Sequence, residues 1–161
     1  MSRFSFVCSL FLLFCFVRPA YASEVIHRYD TLVQIHKNGS LTVTETIEVT
    51  AEGQNIKRGI YRDFPKIRRT PLGGVLPSRY KIVSVKRDGV ADGYHWEDTQ
   101  NSRRLYIGKR NYRLPVNKRY TYEIKYKVPD QVFFFDEYDE LNWNAIASGW
   151  AFPITKGTAT F

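Results

Sequence analysis

Cysteine is the first absence. Beyond residue 22 the chain has none, since Cys8 and Cys15 both fall in the opening apolar run. Disulfide staples, thiol nucleophiles and thiolate metal sites are excluded from that part of the chain. Long hydrophobic runs are scarce as well. Phe4 to Val17 spans 14 residues, short of the ~20 that a bilayer core needs, and no run of 18 apolar residues follows it. No Gly-x-Ser-x-Gly elbow, phosphate loop or dinucleotide fingerprint occurs, so the common hydrolase, nucleotide and dehydrogenase sites have no foothold. No internal period of solenoid or propeller length is present either.

What is present begins with an export signal. Arg3 gives a positive start, the apolar run follows, and Ala20-Tyr21-Ala22 sets small residues at both cleavage positions. This reads as a signal peptide over residues 1–22, cleaved after Ala22. The remaining residues, 23–161, are expected to form one domain, periplasmic or extracellular. If the native chain is longer, that domain would be membrane-anchored. A chain of this size buries a sizeable core without disulfides.

Past the signal, the hydrophobic period is 2 and no amphipathic window of helical length stands out. Arg119 to Val128 alternates cleanly: Tyr120, Tyr122, Ile124, Tyr126 and Val128 share one face, and charged or polar residues the other. Leu41 to Thr50 does the same, and Lys37-Asn38-Gly39 turns it back onto Ile26 to His36. A loop with Gly39 left-handed pairs Ile35 with Leu41 and Val33 with Val43, apolar against apolar. Further strands are expected at 80–87, 94–98, 104–107, 131–135, 141–144 and 155–161, with Asp-Gly and Pro-Asp turns between. Eight or nine such strands predict an all-β, antiparallel β-sandwich of immunoglobulin-like type. Residues 65–77, with Pro71 and Gly73-Gly74, read as a mobile surface loop. The strand at 155–161 stops in mid-pattern, so the reading frame is expected to continue.

One carboxylate breaks the pattern. Glu45 stands on the apolar face of its strand, where an unmatched charge costs several kcal/mol. Arg62, in Gly59-Ile60-Tyr61-Arg62-Asp63-Phe64-Pro65, is its candidate partner. Either the two form a ligand-binding pair, or a buried pair fixes how that segment docks on the sheet; the second reading is preferred. Asp136, Glu137, Asp139 and Glu140 cluster without calcium-loop spacing and read as a solvated turn. A carboxylate-dependent hydrolase built on Glu45 and that cluster is the least favoured alternative. His27, His36 and His95 lack metal-ligand spacing. No metal or cofactor is expected.

Charge is uneven. Residues 57–127 hold 19 basic and 6 acidic side chains, whereas 128–161 hold 1 and 5. With tyrosines interleaved, the basic middle suits a polyanion. Export argues against nucleic acid and toward membrane or envelope components. Trp143 and Trp150 are candidates to stack a sugar or to fill the core. The expectation is a non-enzymatic envelope-interaction or sensing domain. The alternative is a module binding carbohydrate or anionic envelope polymer through Trp143, Trp150 and the basic middle.

Four blocks carry a resemblance. Asn38 to Ile47, Gly59 to Pro65, Tyr120 to Tyr126, and Asp139 to Asn144 followed by Trp150 to Ile154 are similar, in order and spacing, to the N-terminal domain of the YciQ-like predicted bacterial membrane proteins, domain of unknown function 2207. The similarity covers about residues 24 to 161. It implies an extracytoplasmic β-sandwich that follows a signal peptide and precedes transmembrane helices, with no known activity and no site residues. Ala147 departs from the glycine that relatives often hold there, and the membrane-spanning region is absent from this sequence.

Overall fold

The computed structural model describes residues 24–161; the expected signal peptide lies outside them. Among the described residues there are thirteen strands, and no helix long and apolar enough to cross a membrane. In chain order they are β1 (Ile26–Ile35), β2 (Leu41–Ala51), β3 (Gly59–Pro65), β4 (Ile67–Arg69), β5 (Val75–Pro77), β6 (Lys81–Arg87) and β7 (Val90–Ala91). Then follow β8 (Tyr94–Asp98), β9 (Ser102–Gly108), β10 (Lys118–Val128), β11 (Val132–Phe134), β12 (Asp139–Leu141) and β13 (Gly157–Thr160).

The larger sheet has the order β13-β1-β2-β10-β6-β7 and the smaller β3-β9-β8. Its nucleus is the β1–β2 hairpin. Gly39 is left-handed at φ 75°, and Asn38 Oδ1 accepts both the backbone N–H (3.1 Å) and the hydroxyl (2.7 Å) of Ser40. That turn sets Ile35 opposite Leu41 and Val33 opposite Val43, the expected register. On the other side of β2, β10 aligns Tyr126 with Val43, Ile124 with Glu45 and Tyr122 with Ile47. Period-2 alternation then turns Tyr29, Val33, Leu41, Val43, Ile47, Val49 and the β10 series inward, all buried. Burying one such aliphatic or aromatic side chain contributes about 1.5–3 kcal/mol.

The small sheet closes the sandwich. Ile60, Arg62 and Phe64 of β3 and Leu105 and Ile107 of β9 are buried against the large sheet, and the Phe64 ring meets Tyr126 edge-on with centroids 5.0 Å apart. The pairing is antiparallel throughout with one departure, β13, which lies parallel to β1 with Tyr29 opposite Gly157 and Leu32 opposite Thr160. The segment before β13 runs along β1: Thr31 Oγ1 donates to the Ala145 carbonyl (2.7 Å), and Ile26 N–H donates to the Pro153 carbonyl (3.0 Å).

Two readings change. Residues 65–77 are not a free loop: β4 and β5 pair as a hairpin, because Thr70 and Gly74 close a turn on each other with Gly73 left-handed at φ 81°. Proline and glycine there mark a hairpin tip, which composition alone does not separate from a flexible stretch. Residues 59–65 dock on the large sheet as a strand rather than a loop, and the buried arginine at its centre hides the apolar alternation. The carboxylates at 136–140 lie at the tip and return strand of the β11–β12 hairpin, closed by Phe135 N–H donating to the Tyr138 carbonyl (3.0 Å).

Candidate functional site

Glu45 and Arg62 meet between the sheets. Their side chains are 1% and 8% exposed. Arg62 Nε donates to Glu45 Oε2 (2.9 Å), its Nη2 donates to Oε1 (3.0 Å), and its Nη1 donates to the Asp63 carbonyl. The Tyr126 hydroxyl donates the third bond to the carboxylate, to Oε1 at 2.7 Å. A fork-on-carboxylate contact of this kind is the strongest geometry available to the two groups. Burial works against the Arg62 charge, yet Glu45 beside it outweighs this and holds the guanidinium well above its ordinary range. Burial first, and then the Glu45 carboxylate, push the Tyr126 and Tyr29 hydroxyls up. The cluster is thus a neutralised pair with two phenols that stay protonated. Every oxygen of Glu45 is occupied from within.

The remaining sequence-predicted residues gather around Arg62. Trp143 lines a cleft of about 370 Å³ at the free edge of β3, together with Arg62, Tyr126, Asn142 and Asn144. Trp150 stands beside Tyr61, Arg62 and Asp63 and meets the Tyr29 ring edge-on at 6.1 Å. Both indoles pack on the core, and each indole N–H is buried without a partner. The structure therefore places all four candidates, Glu45, Arg62, Trp143 and Trp150, in one neighbourhood around β3.

A second cleft, of about 570 Å³, was not foreseen. It opens at the end of the sandwich where β3 begins and β9 finishes, and its lining includes Lys57, Arg58, Lys109 and Arg110. Gly59 pairs directly with Gly108, with φ 155° and 129°. A Cβ on Gly59 would come within 1.7 Å of the Ile107 carbonyl oxygen, and one on Gly108 within 2.1 Å of that of Arg58. Only glycine lets the two backbones approach so closely. The Glu24 carboxylate, itself buried, accepts the N–H groups of Gln54 (3.2 Å), Asn55 (2.7 Å) and Ile56 (2.8 Å). Leu114 N–H donates to the Lys57 carbonyl (2.9 Å). One rim is fixed from both sides. The signal in the sequence is the mirrored pair Lys57-Arg58-Gly59 and Gly108-Lys109-Arg110, which a count of charges over 57–127 blurs.

Among the described residues no group of three or more His, Cys, Asp and Glu side chains is arranged to hold a metal ion. Among solved structures, the chain superposes on part of native leukotriene A4 hydrolase from Saccharomyces cerevisiae, with a TM-score of 0.46 at 15% identity, over 65% of this chain and 15% of that one. It also superposes on part of the M1 zinc metallopeptidase from Deinococcus radiodurans, with a TM-score of 0.43 at 13% identity, over 66% and 20%. In sequence it is 32% identical over 138 residues to the uncharacterized protein YciQ of Escherichia coli K12, covering 86% of this chain and 22% of YciQ. The chain thus spans about a fifth of the length of that relative. Residues 25–161 match the family described as the predicted membrane protein (DUF2207) N-terminal domain, and the chain belongs to that family.

Proposed function

We propose that this chain is the exported, extracytoplasmic domain of a membrane protein and that it works by binding rather than catalysis, sensing or holding a component of the envelope. The observation that carries the reading is the division of its charges. The interior carboxylate with catalytic potential, Glu45, is saturated by Arg62 and Tyr126. Meanwhile Lys57, Arg58, Lys109 and Arg110 are exposed and lie in none of the ion pairs among the described residues. Internal saturation serves rigidity, whereas a cluster of unpaired surface charge at a cleft is available to a partner of opposite sign.

The apolar run with its Ala20-Tyr21-Ala22 end supports export and removal of residues 1–22, and the family supports attachment to a membrane. The test is proteolysis of intact cells. The domain is expected to be cleaved by added protease once the outer barrier is opened while cytoplasmic markers survive. Protection until the inner membrane is lysed would reject the reading.

A further inference from the structure

Basic side chains line more than one cleft, Arg62, Arg68 and Arg69 among them at the edge of β3, but the group of four, all exposed and outside every ion pair among the described residues, gathers at one. Lys57-Arg58 precede Gly59, Lys109-Arg110 follow Gly108, and the two glycines face each other across β3 and β9. The close backbone approach fixes where both dipeptides emerge, so four cations flank one cleft. Glu97 is the single carboxylate in its lining, and it sits 3.4 Å from His95. Like charges lining one cleft repel one another. Glu24 and Lys57 backbone bonds hold one arm in place nonetheless. Such an arrangement is complementary to an anion.

The floor adds a different chemistry. His95, Tyr106 and Tyr61 lie in one row across the three strands. His95 stacks on Tyr106 with centroids 5.1 Å apart and planes 9° from parallel, and Tyr61 lies 5.8 Å from Tyr106. Asn55 and Asn111 stand at the mouth. Neutral amides, phenols and an imidazole are the groups that exchange hydrogen bonds with hydroxyls, and the volume is in the range of pockets that hold small ligands. Cations at the rim with hydroxyl-binding groups on the floor suit a charged sugar better than bare phosphate.

Position decides between a polymer and the lipid surface. β2 runs from Leu41 to Ala51, and the cleft lies at the Ala51 end, where Lys118 pairs with Ala51 and Leu114 binds Lys57. β13 finishes with Thr160 opposite Leu32, and Leu32 is opposite Thr44, toward the other end. β13 therefore points away from the cleft, and a membrane attachment on that side, as expected of an N-terminal domain in a membrane-protein family, would turn the cleft away from the lipid.

We infer that the cleft between Lys57-Arg58 and Lys109-Arg110 is a binding site for an acidic saccharide, a sugar unit bearing carboxylate or phosphate within an envelope polymer. The inference rests on the extracytoplasmic binding reading. Protease accessibility reports location alone, so it can fail while binding in solution succeeds, and the reverse.

The full-length protein is titrated with short oligogalacturonate, with inorganic polyphosphate, and with phosphatidylglycerol vesicles. Oligogalacturonate is expected to bind most tightly, with an affinity that falls as salt rises. The double variant R58E/R110E is expected to weaken it about tenfold or more. The control K125E/K127E makes the same change in net charge on the outer face of β10 and is expected to bind as wild type. Four results would overturn the site: no binding, binding to vesicles alone, polyphosphate binding at least as tightly, or equal loss in both double variants.

Discussion

Arg58 and Arg62 stand four positions apart on one stretch of chain and show opposite uses of the same side chain. Arg62 lies between the sheets with a carboxylate, a carbonyl and an aromatic ring around it; its guanidinium carbon is 4.8 Å from the Phe64 centroid. Arg58 is exposed beside Lys57 at the mouth of a cleft, with no carboxylate partner. The buried charge is costly to place and costly to disturb. The exposed one adds little to folding and remains available. Local sequence does not separate them, because what differs is that Arg62 points inward from the middle of β3 whereas Arg58 precedes the strand.

Breaking the buried half has the largest expected effect. Glu45→Gln removes the counter-charge of Arg62 and is expected to destabilise the domain by about 3–5 kcal/mol, read as a lower midpoint in urea. Replacing both partners, Glu45→Leu with Arg62→Met, is expected to recover most of that loss. If Glu45→Gln is as stable as wild type, the pair is not the keystone of the sandwich.

The glycine pair tests the boundary between the two regions. Gly108→Ala would drive a methyl group into the Arg58 carbonyl, and a loss of about 2–4 kcal/mol is expected, with saccharide binding weakened even where the protein remains folded. An unchanged thermal midpoint would mean that the strand ends are free to part, and that the cleft is not a fixed structure.

A smaller effect belongs to the phenol on Glu45. Tyr126→Phe is expected to cost about 1–2 kcal/mol. Because the Tyr126 and Tyr29 pKa values are raised in the fold, the folded state holds its protons more tightly than the unfolded chain. Their contribution is complete below the ordinary tyrosine value of about 10 and is lost as pH climbs beyond it. Alkaline titration followed by circular dichroism is expected to show stability falling above that point, and a flat profile would contradict the buried placement of the phenols. The smallest effect is at the rim, where R58E/R110E is expected to shift folding stability by no more than about 0.5 kcal/mol, so its binding loss reads as a site effect. A large drop in melting temperature would tie these side chains to the core.

The sequence shows most of the large sheet and two of the three strands that close it, β8 and β9. Alternation in β2 and β10 is uninterrupted except at Glu45, and the Asn38-Gly39 turn sets the register, so β1, β2 and β10 are readable residue by residue. β3 was obscured because Arg62 occupies an inward position where period-2 reading looks for an apolar residue. β13 is legible as a strand, but its parallel partner is not. That pairing depends on a segment of irregular backbone, residues 142–156, which has no periodicity to read. At the site, the Glu45–Arg62 partnership followed from the cost of burying a lone carboxylate. The cationic cleft did not, since it arises where two distant Lys-Arg dipeptides are joined by a glycine contact visible only in three dimensions.

The parallel docking of β13 on β1 also bears on mechanics. Tyr29 N–H donates to the Lys156 carbonyl (2.9 Å) and Thr155 N–H to that of Ile26 (2.8 Å), and the ladder continues to the Leu32–Thr160 pair. When two neighbouring strands run the same way, tension between the start of one and the end of the other loads their hydrogen bonds side by side, in shear, rather than peeling them apart in turn. A tug on the backbone beyond Thr160, resisted at the Ile26 end, therefore meets the whole β1–β13 seam at once.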